Sequence, residues 1–142
     1  MYVIGGNDGK IRNQVECLDI ETKKWRLLPS LKHKRDELSA SLGPDGCLYA
    51  VGGYGGSENK CLLSAEKYDF DREKWVLTGD MSYPRRALSA VSLPNGVYAI
   101  GGYDGEKYLN TVERYDNDAD EWVSVCPMTQ KRCTLSSVSS ND

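Results

Sequence analysis

Three tryptophans, Trp25, Trp75 and Trp122, stand at the same place in a unit that this chain writes three times. Each follows a recurrent slot, Leu18, Tyr68 or Tyr115, by seven residues and precedes an arginine, Arg35, Arg85 or Arg132, by ten. A glutamate lies nine residues before each tryptophan, at Glu16, Glu66 and Glu113. Upstream of each glutamate is a glycine doublet, Gly5-Gly6, Gly52-Gly53 and Gly101-Gly102, with doublet-to-doublet spacings of 47 and 49. A period of this length means a stacked or radial repeat, in which each unit buries its apolar faces against its neighbours.

Within the second unit, Leu38-Ser39-Ala40-Ser41-Leu42 is a short run of small and apolar residues, closed by the turn Gly43-Pro44-Asp45-Gly46. Cys47 to Gly53 is an apolar strand ending in the doublet, and Ala65-Glu66-Lys67-Tyr68-Asp69 alternates as a half-buried strand does. A charged turn, Phe70 to Glu73, leads into Lys74-Trp75-Val76-Leu77. The third unit repeats the order from Leu88 to Val123. Four short strands, named A to D, with no helical periodicity predict an all-β array, and a radial propeller of four-stranded blades protects the edges of such units. Glycines in a strand mark a close approach, and the spacing predicts that the tryptophan rings are buried on the doublets, with Tyr68 and Tyr115 beside two of them.

Tyr-x-[Val/Ile]-Gly-Gly, the Val/Ala-Glu-x-Tyr-Asp strand, the spaced tryptophan and the arginine ten residues on recur jointly, and with them the whole chain (1–142) resembles the kelch-repeat family. The departures are small: Leu18 replaces tyrosine, and Asp36 or Cys133 follows the arginine where the family often has serine. The Gly-His and Trp-Asp signatures of the WD-type propeller are absent. The resemblance implies a kelch-type β-propeller, here partial.

Met1 to Gly6 aligns with strand B, and Thr134 to Asp142 with strand A and its turn, so the order is B-C-D, two A-B-C-D units and a lone A. Three blades do not close a ring, since propellers have about four to eight. Two readings stay open: a portion of a longer, six-bladed array, or two copies forming a homodimeric six-bladed ring. Either way, a single chain is expected to expose apolar blade faces and an unpaired strand edge.

In an up-and-down blade the B–C and D–A loops share one face. The doublet-to-glutamate interval varies there, 10, 13 and 11 residues, while the glutamate–tryptophan–arginine spacing does not. Variable loops on a rigid repeat are where binding sits. The D–A segments carry Lys32, Lys34, Arg35, Arg85, Arg86, Lys131 and Arg132 against Asp36 and Asp80, whereas the C–D turns are acidic. A basic face steers an acidic ligand. Arg35, Arg85 and Arg132 keep register with the glutamates and are expected to be structural ion pairs. Residues that differ between units are the binding candidates: Asn7, Tyr54 and Tyr103 after the doublets, Asp36, Arg86 and Cys133 after the arginines, and Lys60, Lys107 and Tyr108 in the loops. Arg86 is expected to lie open.

The kelch resemblance implies a protein-interaction module, the substrate-recognition part of a cullin-based ubiquitin ligase adaptor, since such adaptors use these positions to hold a partner peptide. An actin-associated structural protein and a carbohydrate-acting enzyme on the same scaffold are the other readings it leaves open. The net charge of −3 points to neither nucleic acid nor an anionic membrane, and no apolar run nears the roughly 20 residues that span a bilayer. Met1 to Ile4 lacks the basic, apolar pattern of a secretory signal. The five cysteines include no Cys-x-x-Cys pair and read as reduced thiols of a cytosolic or nuclear protein, with a cytoplasmic location expected. Cys17 and Cys47 fall in strand patterns, Cys61 and Cys133 near loops where thiols could react. His33, the only histidine, leaves no familiar metal cluster, cofactor motif or triad, so catalysis is not expected.

Overall fold

The computed structural model describes residues 1–140, all strand, turn and loop. In chain order the strands are β1 (Tyr2–Ile4), β2 (Val15–Asp19), β3 (Lys24–Leu28), β4 (Arg35–Asp36), β5 (Ser39–Leu42), β6 (Leu48–Val51) and β7 (Tyr54–Gly55). They continue with β8 (Lys60–Cys61), β9 (Ala65–Asp69), β10 (Lys74–Leu77), β11 (Ser89–Leu93), β12 (Gly96–Ile100), β13 (Val112–Asp116) and β14 (Glu121–Val125). Three antiparallel sheets form the blades: β1-β2-β3, then β5-β6-β9-β10, then β11-β12-β13-β14. A small extra sheet, β4-β7-β8, joins the first D–A linker to the second B–C loop.

The seven-residue interval before each tryptophan is the geometry of the C–D hairpin. Trp75 lies directly across from Tyr68 and Trp122 from Tyr115, with ring centroids 5.3 Å apart in both. The aspartate that opens each turn closes it: Asp19, Asp69 and Asp116 accept two backbone N–H groups apiece. Those bonds hold the Asp19 and Asp116 carboxyls below the usual range, and the acidic C–D turns are therefore largely turn chemistry.

Leu48-Tyr49-Ala50-Val51 reads as a continuous apolar run because both faces of its sheet are covered. Leu48 and Ala50 join Val15, Leu31, Tyr68 and Trp75 in the layer against the first blade. Tyr49 and Val51 join Met81, Leu88, Val97, Ala99, Tyr115 and Trp122 in the layer against the third. The period of two sorts one strand into two cores.

Burial holds for two of the three tryptophans. Trp75 and Trp122 are 2% and 7% exposed, but Trp25 is 47% exposed. Trp75 is buried by the linker preceding its own blade, donating its indole N–H to the Pro29 carbonyl at 2.9 Å. Among the described residues no linker covers Trp25 in this way.

The doublets also differ from expectation, for they receive a carbonyl rather than an indole ring. A Cβ on Gly5 or Gly101 would stand 2.6 Å from the carbonyl oxygen of Arg35 or Arg132, and one on Gly52 would meet that of Arg85. The second glycine then donates its N–H to the same oxygen, at 2.8, 2.7 and 2.7 Å. The first glycine also has φ near +60° in all three units. Gly52→Ala is expected to lower stability by about 1–3 kcal/mol through left-handed strain and this contact, read as a shift of the urea midpoint at unchanged slope.

Arg35 and Arg85 are clamps between blades. While the carbonyl of each binds the doublet of one blade, its side chain enters the next. Arg35 reaches Glu66 at 3.1 Å and the carbonyls of Gly52 and Ser64; Arg85 reaches Glu113 at 2.7 Å and the carbonyls of Gly101 and Thr111. All four side chains of these two pairs are fully buried. The third pair departs from expectation, since Glu16 and Arg132 are both exposed and have no ion-pair partner among the described residues. The pairing runs from one blade to the next, and these two residues stand at opposite ends of the array.

The segment from Leu135 to Ser139 forms no strand among the described residues, although Ser137 Oγ lies 2.7 Å from Ser89 Oγ, alongside β11. The turn expected at Asn141 and Asp142 lies outside the described residues. No disulfide links the five cysteines. Cys61 is a buried residue rather than a loop thiol, and burial pushes its pKa up, which makes it less reactive.

Candidate functional site

The post-doublet and post-arginine positions meet on the B–C/D–A face, and they do so between blades. Asp36 pairs with Tyr54 across β4 and β7, and Arg86 pairs with Tyr103 through two backbone hydrogen bonds of 3.0 and 2.9 Å. Side chains then reach back one blade. Asn7 Nδ2 donates to Asp36 Oδ2 at 2.9 Å. The Arg86 guanidinium lies over the ring of Tyr54 at 5.5 Å and over that of Tyr103 at 5.2 Å.

Arg86 is thus not the open residue expected. It is half-buried, stacked between two rings, and Glu37 approaches it at 3.3 Å. Glu37 is one residue beyond Asp36, has φ of 50°, and is itself 42% exposed at the side chain. Only its variability between units, where Ala87 and Thr134 take its place, could have pointed to it. The basic excess of the face shrinks accordingly, because Arg35 and Arg85 are buried in clamps and Arg86 is partly neutralised.

A groove of about 1060 Å³ opens beside Arg86, between the B–C loop of the second blade and the linker to the third. Tyr54, Lys60, Arg86 and Tyr103 line it together with His33 and Leu63. Lys60 is exposed and bonded to Glu58 at 2.6 Å. His33, considered from sequence only as a catalytic group, is half-buried there, with Nδ1 lacking a hydrogen-bond partner and its backbone N–H given to Glu66.

Lys107, Tyr108 and Cys133 belong to a neighbouring depression of about 540 Å³, which shares Arg86 and Tyr103 with the groove and is lined also by Glu37. Tyr108 stacks on Tyr103 at 5.3 Å and is 56% exposed, Lys107 is exposed, and Cys133 is half-buried. Asn7 and Asp36 lie on the same face but line neither depression. Among the described residues no group of three His, Cys, Asp or Glu side chains is placed to hold a metal ion.

Radial sheets clamped by arginines, with variable loops gathered on one face, define a β-propeller array. The model for the Kelch motif matches residues 1–32, 39–82 and 84–129. The chain belongs to the kelch-repeat family. A solved structure, "Structure of YjhT", superposes with a TM-score of 0.74 over 93% of this chain and 50% of that one, at 14% identity. This chain therefore spans about half the length of that structure, and the likeness is one of fold. No curated protein sequence matches the chain.

Proposed function

We propose that this array is a protein-interaction module, without catalysis of its own, that seats an acidic peptide segment in the groove beside Arg86. The observation that carries the reading is Arg86 itself, held in place by two tyrosine rings with an exposed glutamate on its guanidinium. Stacking fixes the orientation of a guanidinium while leaving its N–H edge for a carboxylate. Glu37 occupies the position an incoming carboxylate would take. Tyr54 and Tyr103 add amphipathic contact area at small entropic cost, as tyrosines at binding surfaces do. The kelch family supports the finer assignment, substrate recognition for a cullin-based ubiquitin ligase in the cytoplasm.

The test is fluorescence anisotropy with a labelled Asp/Glu-rich peptide and its Asn/Gln counterpart. Glu37→Gln removes the internal competitor and is expected to tighten binding of the acidic peptide several-fold, and Arg86→Glu to weaken it by about 10-fold or more, more steeply at low salt. Arg86→Glu is also expected to cost about 1 kcal/mol of stability through the lost stacking. Equal binding of both peptides, or no response to either substitution, would reject the reading.

A further inference from the structure

The groove beside Arg86 is chemically divided along its length, and backbone hydrogen bonds fix the order of its parts. The linker from the second blade to the third runs antiparallel to the end of the second B–C loop. Thr78 donates its N–H to the Ala65 carbonyl, Met81 to that of Leu63 and Arg85 to that of Leu62, at 3.1, 3.0 and 3.0 Å. Beyond Arg85 the floor continues to Cys61, where a Cβ on Gly105 of the third blade would touch Sγ at 3.8 Å. One end of the groove is therefore formed by Leu77 to Asp80, and the other by Arg86 with Tyr54 and Tyr103.

Leu63, near the first end, breaks the pattern of the repeat. Three residues before each glutamate the other two units have asparagine, Asn13 and Asn110. Both asparagines donate their side-chain N–H to the carbonyl of the residue four before the arginine, Leu31 at 3.1 Å and Met128 at 3.0 Å. Leu63 keeps the backbone bond at this place, to Met81, but its side chain can make no such hydrogen bond. The second unit gives up a linker contact and sets an apolar side chain, 40% exposed, into the groove. Leu77, 43% exposed, lines the same end. Isolated surface leucines are ordinary, but two in one groove with polar surroundings have the composition of a recognition patch.

The charges sort the same way. The cations, Arg86 stacked over its two rings and the exposed Lys60, stand at the Cys61 end. Asp80 stands at the leucine end, where its carboxylate disfavours a second acidic side chain. Asp104 uses its carboxylate on the N–H groups of Glu106 and Lys107, at 2.8 Å each.

We infer that the groove of the second blade selects a short extended peptide with two determinants, an acidic residue for Arg86 and an apolar side chain for Leu63 and Leu77. This rests on the acidic-peptide reading above and adds the second determinant and its spacing. The floor from Cys61 to Ala65 reaches at most about 14 Å, which an extended peptide at about 3.3 Å per residue covers in about four residues. Every residue of the groove belongs to the second blade, the linkers on either side of it or the B–C loop of the third. The site is thus complete within the middle of the array.

Fluorescence anisotropy with labelled peptides tests this. Each probe carries Glu-Glu and, after a Ser/Gly spacer of varied length, a single leucine, in both chain directions; the controls replace the leucine by serine or Glu-Glu by Gln-Gln. A leucine about three to five residues from the acid is expected to tighten binding about 10-fold over its serine control, as burying that side chain does. Leu63→Asn installs the residue of the other two units, so it should keep the wild-type circular dichroism. It is expected to remove most of the leucine gain while leaving the serine control unchanged, and Leu77→Ser to reduce the gain as well. Arg86→Glu should weaken both acidic probes. Acidic probes that bind through Arg86 with no gain from leucine, a gain largest when leucine adjoins the acid, or a gain that survives both leucine substitutions would overturn this inference and leave the acidic-peptide reading standing. Equal binding of the Glu-Glu and Gln-Gln probes, or no binding of any probe, would overturn both.

Discussion

Arg85→Ala is expected to destabilise the array by about 3–5 kcal/mol, because it strands a buried carboxylate rather than merely deleting a contact. The Arg85 side chain is fully buried and ties the linker from the second blade to the third: Nη1 to the carbonyls of Gly101 and Thr111, Nη2 to Thr111 Oγ1 and to Glu113 at 2.7 Å. Removing it leaves Glu113 with the Ser82 N–H and leaves two strand-end carbonyls without this donor. Arg85→Lys is expected to recover only part of the loss. An ammonium is a point charge with three donors and cannot match the planar fork that reaches both carbonyls and the carboxylate. The Arg35–Glu66 clamp has the same form, so Arg35→Ala should cost a similar amount. Urea titration followed by circular dichroism measures both, and a loss under about 1 kcal/mol would mean that the clamps are replaceable ornaments of the repeat.

The same clamps show what could be read from the chain alone. Fixed spacing between glutamates and arginines announces a structural pair, and both interior pairs are found. Spacing cannot tell that the partner lies in the following unit, which decides that Glu16 and Arg132 are the two left over. The doublets were legible as sites of close approach. What approaches them, an arginine carbonyl some thirty residues away, depends on how a linker crosses the blade and has no local signal. Arg86 was legible as a variable residue on the binding face. Its stacking on Tyr54 and Tyr103 and its contact with Glu37 join residues from different units, and only the packing of adjacent blades brings them together. Leu135 to Ser139 copies a strand in sequence but pairs with no strand B among the described residues. A strand is a property of two segments, so half of the pattern leaves extended chain.

Trp75→Ala is expected to cost about 3–5 kcal/mol, as large aromatic deletions in packed cores do, whereas Trp25→Ala should behave differently despite identical spacing. Trp75 is 2% exposed, stacks on Tyr68, and bonds to the linker before its blade. Its removal opens a cavity between two sheets and frees the Pro29 carbonyl. Trp25 faces Leu18 across the first hairpin, with almost half of its surface in water. In a dilute single chain its loss should change stability by no more than about 0.5 kcal/mol. The contrast becomes informative with concentration. If two copies close the ring, Trp25 is covered by the linker of the other chain, and its deletion should cost progressively more as assembly adds to the stability by mass action. Trp75→Ala should show its full cost at every concentration, because both of its walls belong to one chain. Urea midpoints measured over a hundredfold range of protein concentration separate the two. A concentration-independent penalty at Trp25 as large as that at Trp75 would mean that the first blade is covered from within the single chain, contrary to its exposed face.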